Sequence, residues 1–194
     1  MTLYKYRSIR RFKNFVDIII NQRLYAAPYF DLNDPMEGQY IYPQGTLSSS
    51  VIKAIKGEKE NIRICSLSRT YENSLMWAHY ADGHRGVVIG VNVDNTKYEV
   101  HKMEYEGLSY VRNVNIDGST ETAKRILCHK NEIWSYEQEE RIFVTGKTKF
   151  VEVKITEVII GSRMGQQDKN LVKDLISKIL PEVKVEDSNI ENIV

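Results

Sequence analysis

The order of extended and helical segments constrains the fold of this chain more than any other sequence feature. LYKYR at residues 3–7 has the alternation of a short strand, and a helix with an apolar stripe follows it. A second helical stripe, residues 171–180, ends at Pro181. Between them, residues 61–68, 85–93 and the apolar runs after Glu139 are typical of strands. Because helices separate only some of these strands, the pattern predicts an α+β fold.

Length, composition and net charge limit the size and class of the protein. The chain has 194 residues, 42% of them hydrophobic and 27% charged, which fits a single domain spanning residues 1–194. A net charge of +1 argues against binding nucleic acid through bulk charge. Cys65 and Cys128 are too few for a disulfide framework, and no apolar run is long enough for a membrane span. We therefore expect a cytoplasmic protein with no membrane partner.

Three carboxylates precede an apolar run in WSYEQEERIFV, residues 134–144. In an extended chain, Glu137, Glu139 and Arg141 project from one face and Glu140 from the other. Two interpretations follow: an ion-paired ladder on an exposed strand, which stabilises little, or a Glu-x-Glu pair beside an arginine at a cleft. Spacing alone favours the ladder.

Motifs for metal chemistry are few. The four histidines share no zinc-ligand spacing, and no P-loop, G-x-G-x-x-G or G-x-S-x-G motif is present. Glu152-Val153-Lys154 resembles the E-x-K triplet of metal-dependent nucleases, because alternation places Glu152 and Lys154 on one face of a strand. The triplet is common by chance, so a nuclease is the alternative function.

Two further features have more than one interpretation. In LMWAHY, residues 75–80, the helical spacing of Met and Trp is more typical of packing than of ligand binding. Arg85, just after Gly83, is either a surface arginine or an anion clamp. Spacing does not separate the two interpretations of Arg85.

Several short motifs together resemble an uncharacterised bacterial family filed as a domain of unknown function. In chain order they are LYKYR, NDPME at residues 33–37, ICSLS, LMWAHY with HRGVVI after it, and W-x-x-E-x-E-x-R at residues 134–141. The resemblance covers roughly residues 3–162. It implies a kind of fold but no activity.

A more distant resemblance, to ADP-ribosyltransferases, implies a function. Two successions of strand, helix and strand precede a glutamate that opens a late strand, as in those enzymes. The resemblance implies split, mixed β-sheets with flanking helices, with NAD gripped by a first-strand residue. LYKYR lacks the usual His-Gly pair of that strand, and ICSLSRT is not a clean Ser-Thr-Ser strand.

The same resemblance implies roles for individual residues. Glu139 would stabilise the positive charge that develops on ribose as the nicotinamide bond breaks. Glu137 would orient or deprotonate the acceptor. Cations would hold the pyrophosphate and aromatic rings the nicotinamide. The cofactor-binding residues that it implies are Arg7, Lys5, Arg85, Arg141, Tyr6, Trp77 and Tyr80.

The implied function is transfer of ADP-ribose from NAD, as substrate, to an unknown protein or nucleic-acid acceptor, or hydrolysis of NAD. The implied setting is bacterial conflict or phage defence, as a toxin with an antitoxin partner. The alternatives are a metal-dependent nuclease and a non-catalytic nucleotide-sensing or interaction module.

Three structural expectations follow. Glu137, Glu139 and Arg141 should line one cleft with Arg7 and the LMWAHY helix. The NDPME segment should form an ordered turn at the rim of this cleft, because Pro35 restricts the residue before it to extended conformations. Replacing Glu139 with Gln should change stability little, since a cleft carboxylate rarely supports a core.

Overall fold

The computed structural model describes residues 1–112, 114–115 and 118–190. Its helices are α1 (Phe12–Asn21), α2 (Ser49–Asn61), α3 (Ser74–Tyr80), α4 (Ser119–Ile126) and α5 (Gln166–Ile179). Its strands are β1 (Leu3–Arg7), β2 (Arg23–Tyr25), β3 (Ala27–Pro28), β4 (Tyr40–Ile41), β5 (Arg63–Ser68), β6 (Val87–Asn92), β7 (Val100–Lys102), β8 (Ser109–Tyr110), β9 (Glu139–Val144), β10 (Phe150–Glu152), β11 (Lys154–Ile160) and β12 (Lys184–Asp187). Short 3₁₀ helices occupy Tyr29–Asp31 and Glu132–Glu137.

One large sheet organises the fold. Within the described residues it has eight strands, in the order β12-β11-β6-β1-β5-β9-β7, with β3 paired to β5. The neighbours are antiparallel except for the parallel pair β11–β12. Two small sheets, β10-β2 and β4-β8, accompany it. The α+β class with mixed sheets and several helices is therefore confirmed.

The large sheet is nearly divided between β1 and β5. Strand β1 pairs with β6 along its whole length, from Leu3 to Arg7, but with β5 only at Tyr4 and Ser68. Beyond that pair the two strands separate, so the backbone groups that would have joined them need other partners. This gap between the halves of the sheet positions the candidate site.

Helices cover both faces of the sheet because β6 is apolar on both sides. Val87, Ile89 and Val91 pack in the main core with α1 and α5, whereas Val88 packs with Met76 and Trp77 of α3. Such a run of Val and Ile is typical of a strand that is buried on two faces. Gly86 permits the close approach of β6 to β1, since a Cβ there would lie 2.2 Å from the carbonyl oxygen of Arg7.

The helical stripes predict only part of the burial in α1 and α5, since the stripe residues Ile20 and Leu171 are 56% and 50% exposed. Helix α1 buries Phe15, Ile18 and Ile19, and α5 buries Val172 and Ile176. Among the helices of the described residues, none has both the length and the apolar character needed to cross a bilayer.

Candidate active site

A cavity of about 600 Å³ opens where β1 and β5 separate. Its walls come from β1, β5, the start of α1, helix α3, the segment around Asn33 and the start of β9. The volume is within the range of small-molecule and cofactor sites. The cavity is therefore large enough for a nucleotide-sized ligand.

Two cations of β1 face this cavity without acidic partners. Lys5 and Arg7 share one face of the strand because they are two residues apart, and both line the cavity. The Lys5 Nζ donates a hydrogen bond to the carbonyl oxygen of Ser66, at 2.6 Å, across the gap between the strands. The Arg7 Nε is buried and has no hydrogen-bond partner. Over the described part of the chain, neither side chain lies within ion-pair distance of a carboxylate.

The pKa values of these two groups report their environment. Burial lowers the pKa of Lys5 and the neighbouring Arg7 lowers it too, whereas Cys65, Glu139 and Glu137 raise it, and the net value is about 8. Burial also lowers the pKa of Arg7, although a guanidinium stays charged. An anion in the cavity would relieve both cations, so this end of the cavity is suited to a phosphate or carboxylate group.

The carboxylates of Glu137 and Glu139 line the same cavity and share one buried lysine. The Lys130 Nζ lies 2.5 Å from Glu137 Oε2 and 3.2 Å from Glu139 Oε2. All three side chains are at most 5% exposed. Glu137 and Glu139 reach one place by different routes, since Glu137 ends a 3₁₀ helix and Gln138 has a left-handed φ of 43°.

Glu139 is held as an ionised carboxylate. Burial raises the pKa of Glu139, but the attraction of Arg141 and Lys130 outweighs burial and lowers that pKa to about 2. Burial lowers the pKa of Lys130, but the attraction of Glu139 and Glu137 raises it by more. The pKa of Lys130 is therefore above its usual value. A ligand that reaches Glu139 would therefore meet a negative charge and not a proton donor.

The guanidinium of Arg141 is buried, and all of its N–H groups are bonded within the protein. Its Nε and Nη2 bind Glu139 at 2.8 and 3.1 Å, its Nη1 and Nη2 bind Glu37 at 2.5 and 3.0 Å, and Nη1 also binds the Leu127 oxygen at 2.5 Å. These bonds use all five N–H groups of a guanidinium. The assignment of Arg141 as a cofactor-binding residue is therefore wrong. So is the exposed-ladder interpretation, since Arg141 is 1% exposed.

The alternation predicted for the start of β9 is present within the strand. Glu139 and Arg141 face the cavity, whereas Glu140 does not line it and pairs with Arg69. Both glutamates are buried and ion-paired, but only Glu139 adjoins the cavity. Substitution of Glu140 is therefore a matched control for substitution of Glu139.

The NDPME segment forms an ordered turn that is linked to Glu137 through Tyr80 and to Glu139 through Arg141. Asn33 lines the cavity, and its amide donates to the Tyr80 hydroxyl at 2.5 Å. That hydroxyl donates to Glu137 Oε1, also at 2.5 Å. Glu37 reaches Glu139 through Arg141. The expected cleft of Glu137, Glu139 and Arg141 with Arg7 and α3 is therefore present, with the turn at its edge.

Two residues that the resemblance assigns to ligand binding, Trp77 and Arg85, do not line the cavity. Trp77 is 0% exposed, and its indole N–H donates to the Tyr71 oxygen at 2.7 Å, so it cannot stack on a nicotinamide ring. The helical spacing turns Trp77 toward the core, behind Tyr6. Arg85 is exposed and does not line the cavity, so the anion-clamp assignment is wrong as well. Tyr6 and Tyr80 both line it.

The E-x-K triplet at residues 152–154 does not line this cavity. Glu152 and Lys154 are exposed on either side of the buried Val153, as alternation predicts. The Glu152 carboxylate pairs with Lys97 Nζ at 2.5 Å. No group of three His, Cys, Asp or Glu side chains that could hold a metal ion occurs in the described residues.

A family model described as "Protein of unknown function (DUF2971)" matches residues 76–142 of the chain. The matched segment runs from α3 to β9 and contains Tyr80, Lys130, Glu137, Glu139 and Arg141. It supports the resemblance to an uncharacterised family of unknown function. No curated protein and no solved structure is significantly similar to the chain.

Proposed function

We propose that the cavity binds NAD and breaks its nicotinamide–ribose bond, so that ADP-ribose passes to an acceptor or to water. The observation that carries this proposal is the division of charge within one cavity. Lys5 and Arg7 contribute two positive charges, and no carboxylate of the described residues lies within ion-pair distance of either. Elsewhere on the cavity wall, Glu137 and Glu139 are balanced by Lys130 and Arg141. Glu37, which lies behind Arg141 and does not line the cavity, brings this buried cluster to a formal charge of −1.

This division of charge complements NAD. The pyrophosphate of NAD is an anion that Lys5 and Arg7 would neutralise, and its nicotinamide–ribose end is cationic. Strands β1 and β9 flank β5, so the two charged groups lie on either side of β5. The adjacency of β1, β5 and β9 brings both groups to the wall of one cavity.

The chain's own residues account for the chemistry. The bond between ribose C1′ and the nicotinamide nitrogen breaks with both electrons going to nicotinamide, which leaves as a neutral molecule. The oxocarbenium-like ribose is stabilised by the ionised Glu139. The acceptor then attacks C1′, and its proton passes to Glu137. Tyr80 and Lys130 hold Glu137 in place for this step.

The acceptor and the biological setting rest on the resemblance alone. It implies a protein or nucleic-acid acceptor, and a toxin-like role in bacterial conflict or phage defence with an antitoxin partner. The two alternatives, a metal-dependent nuclease and a non-catalytic nucleotide-sensing module, have distinct responses to the ligands below.

The experiment incubates the purified protein with NAD or with Mg²⁺ and records melting temperature and nicotinamide release. We expect NAD, and not Mg²⁺, to raise the melting temperature and nicotinamide to appear. A rise with NAD but no nicotinamide would instead support the sensing module. A rise with Mg²⁺ alone would favour the nuclease.

A matched pair of variants locates the binding site. Arg7→Gln removes the buried guanidinium from the cavity and should abolish the rise in melting temperature with NAD. Arg23→Gln removes a guanidinium that pairs with Asp17 outside the cavity and should retain it. Equal responses of the two variants would place NAD elsewhere.

A further inference from the structure

Glu37, Arg141 and Glu139 form a buried chain of two ion pairs, called the relay below. Glu37 is at the end farther from the cavity, and Glu139, the candidate catalytic carboxylate, is at the other. The two oxygens of Glu37 accept from the Arg141 Nη1 and Nη2 at 2.5 and 3.0 Å. Arg141 then contacts Glu139 through Nε and Nη2. Glu37 is 6% exposed and does not line the cavity.

The geometry of the guanidinium shows what Glu37 does. An arginine offers carboxylates two bidentate edges, the Nη1/Nη2 end and the Nε/Nη2 side. Glu37 occupies the end, so Glu139 must use the side. Without Glu37 the end edge becomes free, and the carboxylate of Glu139 and the guanidinium have a second way to pair.

The backbone around Glu37 is fixed independently of Arg141. The Asp34 side chain accepts from the Met36 N–H at 2.9 Å, and the Asp34 carbonyl accepts from the Glu37 N–H at 3.0 Å. On the other side, the buried Lys59 Nζ donates to the Gly38 oxygen at 2.7 Å. Gly38 has a φ of 71°, which favours glycine at this turn. These bonds fix the backbone position from which the Glu37 side chain reaches Arg141.

We propose that Glu37 is a positioning residue: it fixes the edge of Arg141 that binds Glu139 and so sets the orientation of the Glu139 carboxylate toward the cavity. This role rests on the proposed NAD chemistry for its effect on turnover. The relay itself does not depend on that chemistry. It gives the NDPME turn a function that reaches from the cavity rim to the start of β9.

The test compares Glu37→Gln and Glu37→Asp with Glu140→Gln. Gln removes one charge and turns an amide N–H₂ toward the guanidinium, whereas Asp keeps the charge on a shorter side chain. Glu140→Gln also disrupts a buried ion pair at the start of β9, but one that does not adjoin the cavity. It therefore controls for the loss of a buried carboxylate in itself.

The first readout is steady-state NAD cleavage. We expect Glu37→Gln to lower kcat by about a hundredfold with little change in KM, the cost of misplacing a catalytic group. Glu37→Asp should recover part of the loss, and Glu140→Gln should retain kcat. Equal kcat values for Glu37→Gln and Glu140→Gln would overturn the proposal.

The second readout needs no activity. Hydrogen exchange of the Arg141 Nε–H, followed by NMR, should be slow in the parent and in Glu140→Gln. In Glu37→Gln it should accelerate by about tenfold or more, because the Nε–H no longer has a single fixed partner. Unchanged exchange in Glu37→Gln would overturn the relay even in a protein that cleaves no NAD. Absence of NAD cleavage in the parent would instead refute only the proposed function.

Discussion

Replacing Lys5 with Met should make the protein more stable while weakening its binding of anions. Lys5 keeps a charge in the cavity wall with no carboxylate of the described residues within ion-pair distance, an arrangement that costs stability and would suit an anionic ligand. Met fills a similar volume without the charge. A site built for an anion is expected to show this opposition between stability and binding.

The magnitude follows from the pKa of Lys5. Its fall from 10.5 to about 8 corresponds to roughly 3 kcal/mol against the charged form in the folded state, at about 1.4 kcal/mol per pKa unit. Loss of the hydrogen bond to the Ser66 oxygen subtracts about 1 kcal/mol. The net gain of about 2 kcal/mol should raise the melting temperature by roughly 4–8 °C for a chain of this length.

The stability that Lys5→Met gains over the parent should decrease as pH rises. The folded-state pKa of Lys5 lies below the unfolded one, so the penalty is fully present below pH 8. As pH rises from about 8 to 10.5, the folded protein loses this proton first and the penalty disappears. The difference in stability between Lys5→Met and the parent should therefore shrink across that interval.

The assay is thermal unfolding of the parent, Lys5→Met and Lys13→Met at several pH values, with and without pyrophosphate. Lys13 is exposed on α1, so its replacement should leave the melting temperature nearly unchanged. Lys5→Met should be more stable than the parent and respond less to pyrophosphate. A variant that is less stable than the parent at pH 7 would refute the description of Lys5 as a strained, unpaired cation.

Two further predictions concern the charges of the cavity. The rise in melting temperature that pyrophosphate produces in the parent should decline as pH increases through about 8, because Lys5 loses its proton, and Lys5→Arg should abolish that decline. Glu139→Gln should lower stability by about 2 kcal/mol, below the 3–5 kcal/mol typical of a broken buried pair, because Lys130 keeps Glu137 and Arg141 keeps Glu37. Thermal unfolding at pH 7 checks the second prediction, and a variant as stable as the parent would contradict it.

The expectation of unchanged stability in Glu139→Gln therefore needs revision. A carboxylate at a cleft was expected to contribute little to the core. Glu139 is instead 5% exposed and binds two cations, so its charge supports the packing of β9. Burial and partners of this kind depend on distant parts of the chain.

Periodicity predicted the elements well because it depends on neighbouring residues. The two-residue alternation placed Glu139 and Arg141 on one face of β9 and Glu140 on the other. Helical spacing favoured packing for Trp77, and the structure agrees, whereas the assignment of Trp77 to nicotinamide came from the resemblance. The local pattern was the better guide at this residue.

The relay within the site could not be predicted from spacing. Glu37 and Arg141 are 104 residues apart, and nothing in the local sequence of either indicates the other. Lys130 was missed for the same reason, since its bonds to Glu137 and Glu139 depend on the path of the chain between α4 and β9. A charged residue that follows an amphipathic helix is usually solvated, so its burial here is a tertiary effect.

Nicotinamide release by Glu139→Gln and Glu140→Gln, measured beside the parent under saturating NAD, tests the central claim most directly. Both variants replace a buried, ion-paired carboxylate at the start of β9, and only Glu139 adjoins the cavity. We predict that Glu139→Gln loses about a hundredfold or more of the turnover, the effect of removing one preorganised electrostatic contact, while Glu140→Gln stays near the parent rate. Equal rates for the two variants, in a parent that releases nicotinamide, would contradict the assignment of Glu139 to the chemistry.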